Sequence, residues 1–418
     1  MLSPIEPWER MPIALGAPLR GRRIWLVGIG GAGLSAYGLL AKAWGAEVGG
    51  WDRNETPYLE AVRRAGIEVR VTPEPDLPAG WELFVSSAYP GVEGRPRADL
   101  LAELVSLRPS IVVAGAHGKT TTAAMIAFAL RETGRDPSWI VGGEVPQLGA
   151  NAGAGEGWLV VEGDESDRSV AALRPRIAVV TNIDLDHHAT FGSRAEVEAL
   201  FDGWLADVPD VVRGWELEPV DIELAVPGTH NRLNAAAALA ALERAGVPGD
   251  VAADALARFA GVGRRFERVG EAAGVSVYDD YAHNPAKLAA ALATARARAK
   301  GRVLVLFQPH LYSRTRHLAS ELGRELAEAD VVAVTDVYRA REEPVTGVSG
   351  KLVVDALCAT RPGFAPGWTP RLEDGARFLA RRARPGDLVL TAGAGDVDRA
   401  AALILAELGG SAEPGRRP

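Results

Sequence analysis

The length and composition of the chain favour a globular protein of several domains. At 418 residues it exceeds the size at which one hydrophobic core keeps growing, so we expect two or three domains. Apolar residues make up 47% and no uncharged apolar run is long enough to span a membrane. The net charge of -8 argues against a nucleic-acid partner, and the N-terminus lacks an export signal, so we expect a soluble cytoplasmic protein with small-molecule partners and no membrane partner.

The first hundred residues alternate short β-rich runs with helical patterns. RIWLVGIG is followed by LSAYGLLAKAWG, AEVGGWD, TPYLEAVRRAG and IEVRV, an order that predicts a Rossmann-like parallel sheet over residues 1–108. Gly28, Gly30 and Gly33 follow the first strand in G-x-G-x-x-G spacing, and Asp52 comes about 20 residues later, as in dinucleotide-binding loops. That pattern alone is weak, and it leaves a dinucleotide-dependent oxidoreductase open as an alternative.

The second region, residues 109–266, begins with a strand that leads through a glycine- and threonine-rich loop into a helix. Glycines allow backbone N–H groups to turn toward phosphate oxygens, Lys119 can reach the β- and γ-phosphates, and Thr120 can bind magnesium. Only two residues separate Gly115 from Gly118, fewer than in the general P-loop pattern. The strand before and the helix after still favour an ATP site over a simple glycine turn, in a P-loop ATPase-like parallel-sheet domain.

Acidic residues and histidines follow the next two buried strands. Glu162 ends the run WLVVE, with Asp164 and Asp167 close behind, and the second strand is followed by TNIDLDHH, which contains His187. Because the carboxyl ends of parallel strands meet at one edge of a sheet, Glu162 and His187 can lie near the phosphate loop. Glu162 and Thr120 supply the oxygen ligands that magnesium prefers, whereas histidine is a less usual ligand. Solvated acidic loops are an equal alternative for Asp164 and Asp167.

A third series of strands and helices occupies residues 267–418. The runs RVLVLFQP, DVVAVTDVY and GDLVLTAGAG alternate with helical patterns such as KLAAALATARARAK and LASELGRELAEA. This order predicts a second Rossmann-like sheet, so the whole chain is expected to be an α/β protein of three domains. The single cysteine, Cys358, cannot form an internal disulfide, and we assign it no role.

Nine motifs, taken in order, resemble those of the Mur ligases. They are GIGGAGLS (28–35), AGAHGKTTT (114–122), EGDESD (162–167), TNIDLDHH (181–188), PGTHNRLNA (227–235), RRFERVG (264–270), DDYAHNP (279–285), FQPHLYSRT (307–315) and TAGAGDV (391–397). The likeness covers nearly the whole chain and is greatest to the member that adds the first amino acid. It implies an ATP- and Mg²⁺-dependent ligase that joins L-alanine to the lactyl carboxylate of UDP-N-acetylmuramate through an acyl phosphate.

The resemblance also implies roles for individual residues. The ATP site would comprise Gly115, His117, Gly118, Lys119, Thr120, Thr121, Asn234, Arg265 and Asp280. The UDP-sugar would contact Gly28, Gly30, Gly31, Gly33, Ser35 and Asp52. Tyr281, His283, His310 and Arg314 would line the amino-acid pocket, and the catalytic residues would be Lys119, His283, His310 and Arg314. Magnesium would be held by Thr120, Glu162 and His187.

Several positions depart from the usual family pattern. They are Ala116, Gly163, Ala282, Asn284, Leu311 and a short stretch between residues 209 and 227. The segment ALFDGWLAD lacks the lysine that later-acting Mur ligases carbamylate, which favours the alanine-adding member. A regulatory nucleotide-binding module and a ligase for a peptide or another amino acid stay open as alternatives. The sequence does not indicate the oligomeric state.

Overall fold

Strands and helices alternate throughout the described chain and form three sheets. The computed structural model describes residues 16–185, 190–226, 228–340 and 342–409. Within that part of the chain, no helix is both long enough and apolar enough to cross a membrane. The α/β fold class predicted from the sequence is confirmed.

The first sheet is entirely parallel and has the strand order β3-β2-β1-β4-β5. Its strands are β1 (Arg23–Val27), β2 (Glu47–Asp52), β3 (Glu68–Val71), β4 (Glu82–Val85) and β5 (Arg95–Pro96), and its helices are α1 (Ala32–Ala43), α2 (Pro57–Arg64) and α3 (Arg97–Ser106). Strand β1 lies at the point where the order reverses, between β2 and β4. The glycine loop that follows β1 therefore opens at the position where such sheets bind ligands.

The second sheet has the order β11-β10-β6-β9-β7-β8 and is parallel except for the pair β7–β8. Its strands are β6 (Ser110–Ala114), β7 (Ser138–Ile140), β8 (Ala152–Gly153), β9 (Leu159–Glu162), β10 (Ile177–Val180) and β11 (Asp210–Arg213). Its helices are α4 (Lys119–Glu132), α5 (Arg194–Leu205), α6 (Thr229–Arg244) and α7 (Gly249–Ala257). Strand β6 is flanked by β9 and β10, so the carboxyl ends of these three strands meet at one edge.

The third sheet has the order β12-β13-β17-β14-β15-β16, with only the pair β12–β13 antiparallel. Its strands are β12 (Glu267–Ala272), β13 (Val275–Asp280), β14 (Val303–Phe307), β15 (Val331–Val334), β16 (Gly367–Trp368) and β17 (Leu388–Ala392). Its helices are α8 (Pro285–Arg298), α9 (Tyr312–Leu326), α10 (Lys351–Thr360), α11 (Leu372–Ala380) and α12 (Asp398–Glu407). Alternate residues of β14 enter apolar cores on opposite faces of the sheet.

The chain divides into two compact units between Val262 and Gly263. In the first unit, one apolar cluster runs from the first sheet, for example Phe84 of β4, into the second, for example Val161 of β9. Arg108 reinforces this contact: its side chain is 1% exposed, and its guanidinium donates a hydrogen bond of 2.9 Å to the Gly155 carbonyl oxygen. The boundary expected at residue 108 lies inside this unit, so the domain division stays a prediction.

Candidate active site

The predicted phosphate loop joins β6 to α4 through residues 115–118. Its backbone is left-handed at Gly115 and Gly118, where φ is +122° and +84°. A Cβ atom added to Gly118 would lie 2.2 Å from Oδ1 of Asn234, so glycine is required there by space as well as by conformation. Asn234, which the family resemblance places in the ATP site, therefore packs directly against the loop from α6.

Two residues that follow β10 hold the backbone of this loop. Asn182 accepts a hydrogen bond from the His117 N–H through Oδ1 and donates one to the His117 carbonyl oxygen through Nδ2, both at 2.9 Å. The Thr181 hydroxyl donates to the same oxygen at 2.6 Å. The sequence motif contained both residues, but its spacing gave no indication that they bind the loop. The shape of the loop thus depends on the neighbouring strand.

Lys119 is held by two acceptors at the start of α4. Its Nζ donates to the Gly115 carbonyl oxygen at 2.6 Å and to Glu165 Oε1 at 2.9 Å. Burial by itself would lower the pKa of Lys119, but the charges of Glu165 and Glu162 raise that pKa above its ordinary value. The ammonium group has three donors, so one more is available for a phosphate oxygen. Glu165 had no role in the sequence-based prediction.

A hydroxyl and a carboxylate lie side by side at the magnesium site expected from the sequence. Thr120 Oγ1 donates to Glu162 Oε1 at 2.9 Å, and Glu162 Oε2 accepts the Gly142 N–H at 2.6 Å. These oxygens fit an ion that takes most of its ligands from phosphates and water. His187 lies outside the described residues. Across the residues that are described, no group of three or more His, Cys, Asp and Glu side chains could hold a metal.

The glycine loop of the first sheet is shaped by Asp52. Its Oδ2 accepts the Gly30 N–H and its Oδ1 accepts the Tyr89 hydroxyl, both at 2.8 Å. The Ser35 hydroxyl donates to the Ala32 carbonyl oxygen at 3.1 Å. Both polar side chains expected to contact the UDP-sugar thus make bonds within the protein. The predicted contacts of Asp52 and Ser35 with a ligand stay predictions.

In the second unit, the predicted nucleotide contacts lie where residues 264–266 meet the end of β13. Asp280 Oδ2 accepts the Phe266 N–H at 2.7 Å, and burial raises the pKa of Asp280. The Arg265 guanidinium lies 5.2 Å from the centre of the Tyr281 ring. Arg265 and Asp280, predicted to reach ATP, are therefore close to Tyr281 of the predicted amino-acid pocket.

Arg264, which had no predicted role, fixes this segment. Its guanidinium donates to Asp279 at 3.0 Å and to the carbonyl oxygens of Gly393 and Gly395 at 2.8 Å. Burial raises the pKa of Asp279 to about 7, and the charge of Arg264 opposes that rise. The two motifs RRFERVG and TAGAGDV are thus joined by one side chain.

The four residues of the predicted amino-acid pocket lie together. The rings of His283 and His310 are 5.9 Å apart, and Arg314 Nη1 lies 3.1 Å from His310 Nδ1. Tyr281 packs edge-on against His283 at 5.3 Å. Tyr338, which the sequence-based prediction missed, stacks on His310 with 13° between the ring planes.

His283 has the surroundings of a neutral base. Burial lowers its pKa well below 6.5, and the charges of Lys287 and Arg314 lower it further. Its Nδ1 lies 2.8 Å from the Tyr281 carbonyl oxygen, which can only accept, so Nδ1 carries the proton. The lone pair of a neutral ring is then on Nε2.

Two departures from the family pattern have structural consequences. Asn284 caps helix α8, because its Oδ1 accepts the Lys287 N–H at 2.9 Å. Leu311, with φ of +68°, precedes α9, and its N–H donates to the Tyr338 carbonyl oxygen at 2.9 Å.

The short stretch after residue 209 also departs from the family pattern. It forms the edge strand β11 and one helical turn, 214–216.

Comparisons with known proteins agree on one family. The Mur ligase middle domain matches residues 113–209, and the Mur ligase glutamate ligase domain matches residues 264–395. The chain is 41% identical over 444 residues to the UDP-N-acetylmuramate–L-alanine ligase of Kineococcus radiotolerans, covering 90% of this chain and 94% of the relative. The corresponding ligase of Rubrobacter xylanophilus is 39% identical and matches over its whole length and 92% of this chain.

Solved structures give the same result. The UDP-N-acetylmuramate–alanine ligase of Thermotoga maritima is 25% identical, with a TM-score of 0.76 over 92% of this chain and 98% of that structure. A murein peptide ligase from Psychrobacter arcticus shares the fold, at 23% identity and a TM-score of 0.65 over 93% of this chain and 99% of that structure. The predicted family is confirmed, and the oxidoreductase alternative is excluded.

Asn182→Ala should weaken ATP binding. Loss of both side-chain bonds to the His117 backbone should raise the KM for ATP by about tenfold, because two hydrogen bonds hold the loop in its binding shape. Steady-state kinetics with varied ATP test this expectation. The control is Asn54→Ala, which removes an exposed asparagine of the same unit. An unchanged KM in Asn182→Ala would contradict the role given to this residue.

The pKa of His283 should lie well below 6.5, because burial and the charges of Lys287 and Arg314 disfavour the charged ring. Since the folded protein binds fewer protons at this site than the unfolded chain, folding stability should fall as the pH drops below about 6.5. An NMR titration of the ring, assigned with His283→Gln, measures the pKa directly. A midpoint at or above 6.5 would contradict the expectation, as would an acid-induced loss of stability that His283→Gln leaves unchanged.

Proposed function

This chain belongs to the Mur ligase family, and we propose that it joins L-alanine to the lactyl carboxylate of UDP-N-acetylmuramate, converting ATP to ADP and phosphate. Relatives with that name and up to 41% identity over most of the chain support this activity. The reaction builds a peptidoglycan precursor, and so serves cell-wall biogenesis, cell shape and division. The proposed compartment is the cytoplasm, where ATP is available.

The arrangement around Lys119 carries the proposal. A buried ammonium group at a glycine loop, anchored by Gly115 and Glu165, can bind the phosphates of ATP while keeping its charge. The first step forms a bond between a lactyl carboxylate oxygen and the γ-phosphorus, and it breaks the bond from that phosphorus to ADP. Lys119 stabilises the negative charge on the transferring group, so the protein acts by position and electrostatics and needs no nucleophile of its own.

Magnesium fits beside this lysine. Thr120 and Glu162 would hold the ion, with His187 as the further ligand implied by the family resemblance. When bound, the ion supplies positive charge to the phosphates of ATP. Thr120 Oγ1 and Glu162 Oε1, 2.9 Å apart, are the observation that supports this site.

The second step takes place on the acyl phosphate. The amine of L-alanine attacks the acyl carbon, inorganic phosphate leaves, and the nitrogen gives up a proton. His283, neutral and with Nε2 as acceptor, is suited to take that proton, and His310 is its neighbour. Arg314 is suited to bind the carboxylate of the amino acid, because a guanidinium matches a carboxylate in charge and shape.

Phosphate release tests the proposed function. With ATP and magnesium, release should require both UDP-N-acetylmuramate and L-alanine, and mass spectrometry should find the amide product. Glycine should react about 10- to 200-fold less efficiently, since one methyl group separates it from alanine. Release without L-alanine, or with a dipeptide in its place, would contradict the assignment.

The variant Lys119→Ala tests the proposed role of this lysine in phosphoryl transfer. The variant should lose at least about 100-fold in kcat, because an electrostatic contact to the transferring group is removed. Lys42→Ala is a suitable control, since the Lys42 ammonium bonds only to the exposed carbonyl oxygen of Gly66 in the described structure. A Lys119→Ala variant that folds normally and turns over at the original rate would refute the mechanism.

A further inference from the structure

Arg97 lies between the glycine loop of the first sheet and the acidic segment that follows β9. It is the first residue of α3, and its Nη2 donates to Asp167 Oδ2 at 2.9 Å and lies 3.6 Å from Asp164 Oδ2. A Cβ atom added to Gly33 would lie 3.0 Å from Arg97 Nη1. One side chain therefore touches the expected binding loop for the sugar nucleotide and a segment that begins at the ATP-binding edge.

The guanidinium of Arg97 has donors to spare. Its side chain is partly exposed, at 23%, and among the described residues its hydrogen bonding is confined to Nη2 and Asp167. Nε and Nη1 carry further N–H groups, and Nη1 is the nitrogen beside Gly33. These N–H groups have no acceptor among the described residues, so an anionic ligand at the glycine loop can accept hydrogen bonds from them.

The charge of Arg97 is permanent. Burial by itself would lower its pKa, but Tyr37, Asp167 and Asp164 raise that pKa above its ordinary value. Tyr37 is buried beside it, and burial raises the pKa of the Tyr37 phenol to about 12, so the phenol is neutral at physiological pH. The nearby anions that balance Arg97 are thus two carboxylates of the acidic segment.

We propose that Arg97 positions the sugar nucleotide, by donating hydrogen bonds from Nη1 and Nε to its diphosphate at the glycine loop. The inference rests on the proposed function, and it adds a residue to which neither the sequence motifs nor the comparisons assign a role. A guanidinium can bind two phosphate oxygens at once and still face a carboxylate with its other edge. Asp167 then competes with the diphosphate for the same cation.

The position of the acidic segment explains why such a contact would matter for the reaction. Glu162, at the start of this segment, bonds to Thr120 of the phosphate loop, and Asp167 at its end bonds to Arg97. A diphosphate held by Arg97 is thereby tied to the segment that also reaches the ATP site. Small displacements of a reacting group are costly to catalysis, so this tie orients the lactyl carboxylate.

In the competing explanation, Arg97 only braces the two sheets. Substitutions that change the charge distinguish this explanation from binding of the diphosphate. If Arg97 only braces the sheets, removing its partner Asp167 should be as harmful as removing Arg97. If Arg97 binds the diphosphate, Asp167→Asn frees the guanidinium and removes a negative charge near the ligand. Arg97→Ala then weakens substrate binding, whereas Asp167→Asn does not.

Calorimetric binding of UDP-N-acetylmuramate to the full chain tests the proposal. Arg97→Ala should weaken binding by about 30-fold, or about 2 kcal/mol, while the KM for ATP stays within about twofold. Arg97→Lys should bind with intermediate affinity, because it retains the charge without the forked donors. Asp167→Asn should bind as tightly as the original protein or more tightly. Arg95→Ala, two residues upstream and more exposed, is the matched control and should leave binding unchanged.

The outcomes of this experiment separate the proposal from its alternatives. Unchanged binding in Arg97→Ala would overturn the proposal, and so would equal weakening by Arg97→Ala and Asp167→Asn with equal loss of thermal stability. If Arg97→Ala fails to fold, Arg97→Lys takes its place. Weaker binding by Arg97→Lys than by Asp167→Asn would support the proposal, and equal weakening by the two variants would overturn it. Failure of the unaltered protein to bind UDP-N-acetylmuramate would instead reject the proposed function itself.

Discussion

The predicted ATP site depends on how the backbone of residues 115–118 is held. At His117, within this loop, both the N–H and the carbonyl oxygen are taken by Asn182. This is possible because β6 and β10 are parallel neighbours, so that the residues following each strand meet. The same geometry brings Glu162, at the end of β9, to Thr120. Strand order therefore determines the chemistry of the site.

Charged groups in these sites are mostly buried in opposite pairs. Arg97 and Asp167 form a pair that is more open to water, whereas Lys119 faces Glu165 and Arg264 faces Asp279 with each carboxylate only 3% exposed. Removing one partner of such a pair leaves a charge shielded from water, which costs more than the pair itself contributes. The pairs thus keep cations charged where phosphates or carboxylates are to be bound. His283 is the contrasting case, since burial, and after it the cationic neighbours, lower its pKa and favour the neutral ring.

Much of this arrangement could be predicted from the sequence. The strand, loop and helix around Lys119 follow from hydrophobic runs and glycine spacing, and the motif order identified the family. The partners Glu165, Asn182, Arg264 and Tyr338 were missed, because their roles depend on which strands lie side by side and on side-chain direction. Asp52 shows a further limit: its spacing predicted that it reaches the glycine loop, where its carboxylate bonds to Gly30 and Tyr89, and its contact with a ligand stays a prediction. Spacing indicates that a residue reaches a loop, but not which partner it binds there.

The central claim is that the lactyl carboxylate is activated by phosphorylation, and isotope transfer tests it most directly. UDP-N-acetylmuramate labelled with ¹⁸O in the lactyl carboxylate is incubated with ATP, magnesium, L-alanine and the protein, and the released phosphate is examined by mass spectrometry. An acyl phosphate that is attacked at carbon transfers one ¹⁸O atom to each phosphate formed. Unlabelled phosphate accompanied by amide product would contradict this account, since the carboxylate oxygen would then never have been bonded to phosphorus.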